Sequence, residues 1–101
     1  MKVDFSQSLV DLDGKALVEQ TSSKPITLRA LAVNALMASF EDEKNLSGEE
    51  KVKRYETALL VHNSQDEPIE MTVEAVALIK RLIGRSYGPL LVGQAWKMLD
   101  G

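Results

Sequence analysis

The strongest alternation of apolar and polar positions lies in the last third of the chain, Thr72 to Leu99, TVEAVALIKRLIGRSYGPLLVGQAWKML. Ala75, Val76, Ile79, Leu82 and Ile83 recur at three- and four-residue steps, the spacing of one helical face. Glu74, Lys80, Arg81 and Arg85 fall mostly outside that face. Thr72 is a good N-cap, because its hydroxyl can accept a bond from a free amide one turn on. Glu74 suits the positive end of the helix dipole and Arg81 and Arg85 the negative end. A helix is therefore predicted over 73–86. Gly84 inside it costs about 1 kcal/mol relative to Ala, which points to close packing or an early helix end. Tyr87-Gly88-Pro89 breaks the pattern. Gly88 is free to take a positive φ, and Pro89 cannot continue one helix but suits the first turn of the next. The second helix is predicted over 89–99. Its stripe is Leu91, Val92, Ala95, Met98 and Leu99, with Leu90 and Trp96 on the flanks, Gln94 and Lys97 pointing away, and Gly101 at the expected cap position. So short a linker makes a helical corner or hairpin.

The remaining elements read as cover for this pair. In 1–20, the apolar residues Val3, Phe5, Leu9, Val10, Ala16, Leu17 and Val18 flank Asp13-Gly14, a hairpin turn signal. An isolated hairpin is marginal, so this one is expected to lie on the helices or to pair with another chain. Asp11-Leu12-Asp13-Gly14 also invites a calcium-loop reading. Setting Gly14 at the invariant glycine of an EF-hand puts Leu9 and Gln20 where acidic ligands belong, so the reading fails. Thr27 then caps a helix over 27–40, LRALAVNALMASF, apolar almost all round and so expected to be buried on more than one side. Within it Asn34 needs a hydrogen-bond partner if it is buried. Ser47-Gly48-Glu49-Glu50 is a capping box that opens a helix over 48–62. Val52, Tyr55, Leu59 and His62 are its expected inner face, and Lys51, Lys53, Arg54 and Glu56 are expected to face water. Leu31, Leu36, Tyr55, Leu59, Ile79, Ile83 and Leu99 are the expected core. The fold class is mainly α: one domain over 1–101, about four helices packed as a small orthogonal bundle with an N-terminal β-hairpin.

Composition changes this picture mainly by exclusion. At 101 residues, 45% hydrophobic and 27% charged, the chain has globular composition and can bury an ordinary core. It has no Cys and one His, so thiolate chemistry, Cys-type zinc sites and Ser-His-Asp catalysis lack their groups. His62 reads as a dipole-stabilising or packing residue near a helix end. Gly84, Gly88 and Gly93 do not follow a strand and fail the context test for phosphate loops. No catalytic residue, cofactor or metal is expected. There is no apolar leader after Met1-Lys2 and no run long enough for a membrane span, so a cytoplasmic location is expected. The net charge of −3 argues against a general nucleic-acid binder. A helix-turn-helix reading would make 89–99 the recognition helix, but only Gln94 and Lys97 there are polar readers.

The order of the segments, an Asp-Gly hairpin, TLRALAVNALMA, LSGEEKVKRYETAL and TVEAVALIKRLIGRSYGPLLVGQAWKMLDG, resembles small proteins encoded by tailed bacteriophages and prophages. The resemblance spans most of the chain and rests on packing and capping residues. It implies expression in the bacterial host cytoplasm and a non-enzymatic role, in virion assembly or in binding a host or phage protein.

Two surfaces carry the functional expectation. Tyr87, Pro89, Leu90 and Trp96 are expected to bind a protein partner, foreign or a second copy, because aromatics near a corner serve as interface anchors. Lys51, Lys53, Arg54, Arg81 and Arg85 form the alternative, an anion or partner patch. With Lys80 they would serve a nucleic-acid-associated regulator if they shared one face. An enzyme with a dispersed acidic site is a third reading that no residue singles out.

Overall fold

The computed structural model describes residues 1–43 and 45–100. Among them, four α-helices carry the fold: α1 (Leu28–Met37), α2 (Gly48–His62), α3 (Val73–Ser86) and α4 (Pro89–Asp100). Strands β1 (Lys2–Val3) and β2 (Ile69–Glu70) pair antiparallel, Lys2 opposite Glu70 and Val3 opposite Ile69. The mainly α expectation with an antiparallel N-terminal element holds, although β1 takes its partner from Ile69–Glu70 and the hairpin about Asp13-Gly14 is closed by the Val10–Ala16 bridge. The Asp-Gly turn is formed by Gly14 at φ +83°, with its N–H donating to the Asp11 carbonyl at 3.0 Å and Val10 bridging Ala16. Asp11 Oδ1 accepts the amides of Asp13 and Lys15, each at 2.9 Å, so this carboxylate closes a turn. The chain then doubles back, placing Val18 against Pro25 and Ser8 against Thr27.

The N-terminal segment acts as a cap for α1. A helix leaves its first amides without intrahelical partners. Here Leu28 donates to the Gln7 carbonyl and Arg29 to the Phe5 carbonyl, each at 2.9 Å, while Thr27 Oγ1 accepts from Ala30 at 3.3 Å. These bonds pin Phe5 and Leu9 into the core beside Leu28, all fully buried. Ser47 and Thr72 open α2 and α3 by the same device, accepting from Glu50 and Ala75 at 3.1 and 3.0 Å. The 47–50 signal in the sequence is therefore a true helix start.

α1 is the central helix and packs against both α2 and α3, and α3 packs against α4. The core joins Leu31, Ala32, Ala35 and Leu36 of α1 to Val76, Ile79, Leu82 and Ile83 of α3 and to Ala95 and Leu99 of α4. α1 stops at Met37, three residues short of its expected end, because Ala38 turns extended. Asn34 is exposed and needs no buried partner. The corner after α3 uses no positive φ at Gly88: Tyr87 is extended, its N–H donates to the Ile83 carbonyl at 3.1 Å, and Pro89 opens α4. The expected cap at Gly101 lies outside the described residues. Gln94 does not point away. Its side-chain amide accepts from Val10 N–H at 2.9 Å and donates to the Val10 carbonyl at 2.7 Å, tying α4 to the N-terminal turn. Gly84 is explained by packing, since a Cβ there would lie 3.3 Å from Cζ2 of Trp96.

Candidate functional site

The largest departure from the sequence pattern lies on α2. Its buried residues are Arg54, Ala58 and Val61, rotated by roughly a quarter turn from the expected inner face. Val61 on this side is fully buried in the core, and Arg54 is held there by an ion pair. Its guanidinium grips the Glu43 carboxylate at 2.9 and 2.6 Å, with side chains only 7% and 13% exposed. The small Ala58 on the same side lies against the core.

The expected core residues of α2 are left outside as a result. Val52, Tyr55 and Leu59 are 53%, 51% and 41% exposed, and Met37 of α1 is 56% exposed. Met37, Tyr55 and Leu59 are neighbours. Val33, Met37, Tyr55, Ala58, Leu59 and His62 line one apolar groove between α1 and α2. Past Met37 and Tyr55 the surface continues into an open cleft of about 440 Å³, walled by Leu36, Phe40, Leu46, Lys51 and Arg54 among others. Contiguous apolar patches on a soluble chain commonly mark interaction sites. α1 is buried along Leu28, Leu31, Ala32, Ala35 and Leu36, with Arg29, Ala30 and Val33 part-buried, so that only Asn34 and Met37 of the helix are exposed. Met37 and the exposed stripe of α2 border this one face.

The corner site is arranged differently. Tyr87 is half-buried against the core, Pro89 and Leu90 are exposed, and Trp96 is partly exposed. Trp96 lies across α3, where Nε1 donates to the Lys80 carbonyl at 3.0 Å and Lys80 Nζ stands 4.9 Å from the ring centroid. The chain's own contacts therefore already hold both aromatics.

Lys53, Arg54 and Arg81 line one narrow groove between α2 and α3 with Glu50 and Leu78, Lys51 shares the cleft beside Tyr55 with Arg54, and Lys80 lies with Arg81 beside Trp96. Arg54, expected to face water, is buried on Glu43. Arg85 pairs with Asp42, lies 3.8 Å from Glu43 and stacks 4.3 Å from the Phe40 ring centroid. Lys80 pairs with Asp100 at 2.8 Å. The Arg54 bonds, with Arg85 and Arg81 nearby, hold the Glu43 carboxyl below the usual range, and Arg85 does the same for Asp42. Lys51, Lys53 and Arg81 form no ion pair with a described residue.

Among the described residues, no group of three or more His, Asp or Glu is placed to hold a metal ion, and no helix is long and apolar enough to cross a membrane. His62 is exposed at the end of α2, on the rim of the apolar groove. Comparison of the chain with protein-family models, with curated proteins and with solved structures returns no match.

Proposed function

We propose that this chain is a non-enzymatic protein-binding domain and that the α1–α2 face is its contact surface. One observation carries the reading: Tyr55 and Leu59 at helical spacing on α2 lie together with Met37 of α1, open to solvent, above the part-buried Val33, with no described element of the chain over them. Exposed aliphatic and aromatic side chains of this kind anchor interfaces when a partner excludes water from them. The resemblance to small tailed-phage and prophage proteins supports a setting in the bacterial host cytoplasm, in virion assembly or host interaction. The nucleic-acid reading has less support, because Arg54, Lys80 and Arg85 are each paired with a neighbouring carboxylate. Phosphate binding draws on cations free to replace counterions.

Affinity capture from phage-infected cells tests the surface. The bait is the wild-type chain, Leu59→Glu, or Leu90→Glu as a control on the corner. Leu59→Glu is expected to lose a partner that Leu90→Glu retains, with helical circular dichroism unchanged in both. The opposite pattern, loss with Leu90→Glu and retention with Leu59→Glu, would move the contact to the Tyr87–Trp96 corner.

A further inference from the structure

We infer that the occupant of the α1–α2 face is a second copy of this chain, packed antiparallel across a two-fold axis. This rests on the reading of that face as a contact surface and names its partner.

The first argument is spacing. Along α2, Val52, Tyr55, Leu59 and His62 follow at steps of three, four and three residues, the spacing of a short coiled-coil seam. That order of steps is the same read from either end. A two-fold axis between Tyr55 and Leu59 therefore lays Tyr55 of one copy against Leu59 of the other, and Val52 against His62. A two-fold contact sets residue i against j and j against i, and this spacing satisfies that condition.

The second argument is the shape of the cover that is missing. α1 and α2 run antiparallel. Met37 stands beside Tyr55 at one end, and at the other Arg29 donates to the Gln65 carbonyl and to Ser64 Oγ at 3.4 Å. Two such helical hairpins meeting on their open faces make a four-helix bundle. The second copy covers Met37 of α1 and the exposed Tyr55 and Leu59 of α2.

The third argument is charge. Lys51 lies at the Met37 end of the face and forms no ion pair with a described residue. At the other end stands the loop carrying exposed Asp66 and Glu67, which Arg29 holds against α1. An antiparallel pair brings Lys51 of each copy toward the acidic loop of the other, and does so twice. A parallel pair would set like ends together.

Light scattering behind size-exclusion chromatography, over a wide concentration range, is the test. The wild type is expected at twice the monomer mass when concentrated, and Leu59→Glu at the monomer mass with its helix content kept. Lys51→Glu is expected to weaken the dimer about tenfold, equivalent to about 1.4 kcal/mol, and Asp66→Lys with Glu67→Lys in the same chain is expected to restore it. Because the chain has no cysteine, introduced thiols report register cleanly. An oxidised mixture of Tyr55→Cys and Leu59→Cys is expected to cross-link more than either variant alone. A wild type that stays monomeric, a dimer untouched by Leu59→Glu, or cross-linking no better in the mixture would overturn the inference. If the protein is monomeric and Leu59→Glu still abolishes capture of a foreign protein, the contact face stands and its occupant is not a second copy.

Discussion

Phe5→Ala is expected to lower stability by about 3–5 kcal/mol, the range for a buried aromatic cut back to Ala. Phe5 is fully buried, and its carbonyl receives the Arg29 amide at 2.9 Å. Its side chain therefore fills the space beneath α1 while its backbone closes the first turn of that helix. The substitution leaves the backbone bond possible but removes the packing that holds the segment in place, so both contributions weaken together. Domains of this size are stable by about 5–15 kcal/mol in total, so the loss is a large fraction. Thermal unfolding is expected to shift down by about 15 °C or more. A shift of only a few degrees would show that the N-terminal segment is an ornament on a helical core rather than part of it.

Glu43→Gln is expected to cost roughly 2 kcal/mol, less than the 3–5 kcal/mol of a fully buried pair because Glu43 sits at the rim. The variant leaves the almost buried Arg54 guanidinium facing a neutral amide. The same pair makes stability depend on pH. Arg54, through its hydrogen bonds first, depresses the Glu43 carboxyl in the folded state. A depressed carboxyl contributes stability that is present above its unfolded value, about 4.3 for Glu. That stability is lost as pH falls through the folded value. Urea unfolding of the wild type should therefore weaken as pH drops below the ordinary Glu range. Glu43→Gln should show a shallower fall over the same window, since it has no carboxyl there to protonate. An identical pH slope in both proteins would mean that Glu43 and Arg54 are not paired in solution.

Much of the helical framework was legible because it is written locally. Thr27, Ser47 and Thr72 are hydroxyl N-caps placed just before apolar periodicity, and each opens a helix. The face carrying Val76, Ile79, Leu82 and Ile83 is buried as its spacing requires. Long-range polar pairing was not legible. Gln94 reads as a solvent-facing residue until the backbone of Val10 is placed beside it, and β1 has no visible mate until Ile69–Glu70 is brought to it. α2 shows the limit most sharply. Hydrophobic periodicity finds an apolar stripe but does not say what covers it. The inner side carries Ala58, Val61 and the Arg54–Glu43 pair while the stripe with Tyr55 and Leu59 faces out, and no spacing rule weighs a guanidinium–carboxylate pair against an aromatic. For the candidate site, the sequence pointed to the Tyr87–Trp96 corner on the strength of two aromatics. It did not anticipate that Trp96, still 40% exposed, packs on Gly84 and donates to the Lys80 carbonyl.

Burial set the orientation of α1 and α3, whereas the inner side of α2 carries the Arg54–Glu43 pair, Ala58 and Val61 in place of a larger apolar stripe. Leaving Val52, Tyr55 and Leu59 in water forgoes hydrophobic stabilisation that the same residues would supply inside. A contact surface gives that arrangement a use, and the proposal therefore depends on these side chains being dispensable to the isolated fold.

Thermal unfolding of dilute Leu59→Ser and Met37→Ser, beside Ile79→Ala, tests that dependence most directly. The two serine variants are expected to stay within about 0.5 kcal/mol of the wild type, as exposed positions do, while Ile79→Ala loses about 2–5 kcal/mol. A loss of about 2 kcal/mol or more in either serine variant at dilution would place that residue in the core and remove the α1–α2 face as a binding surface.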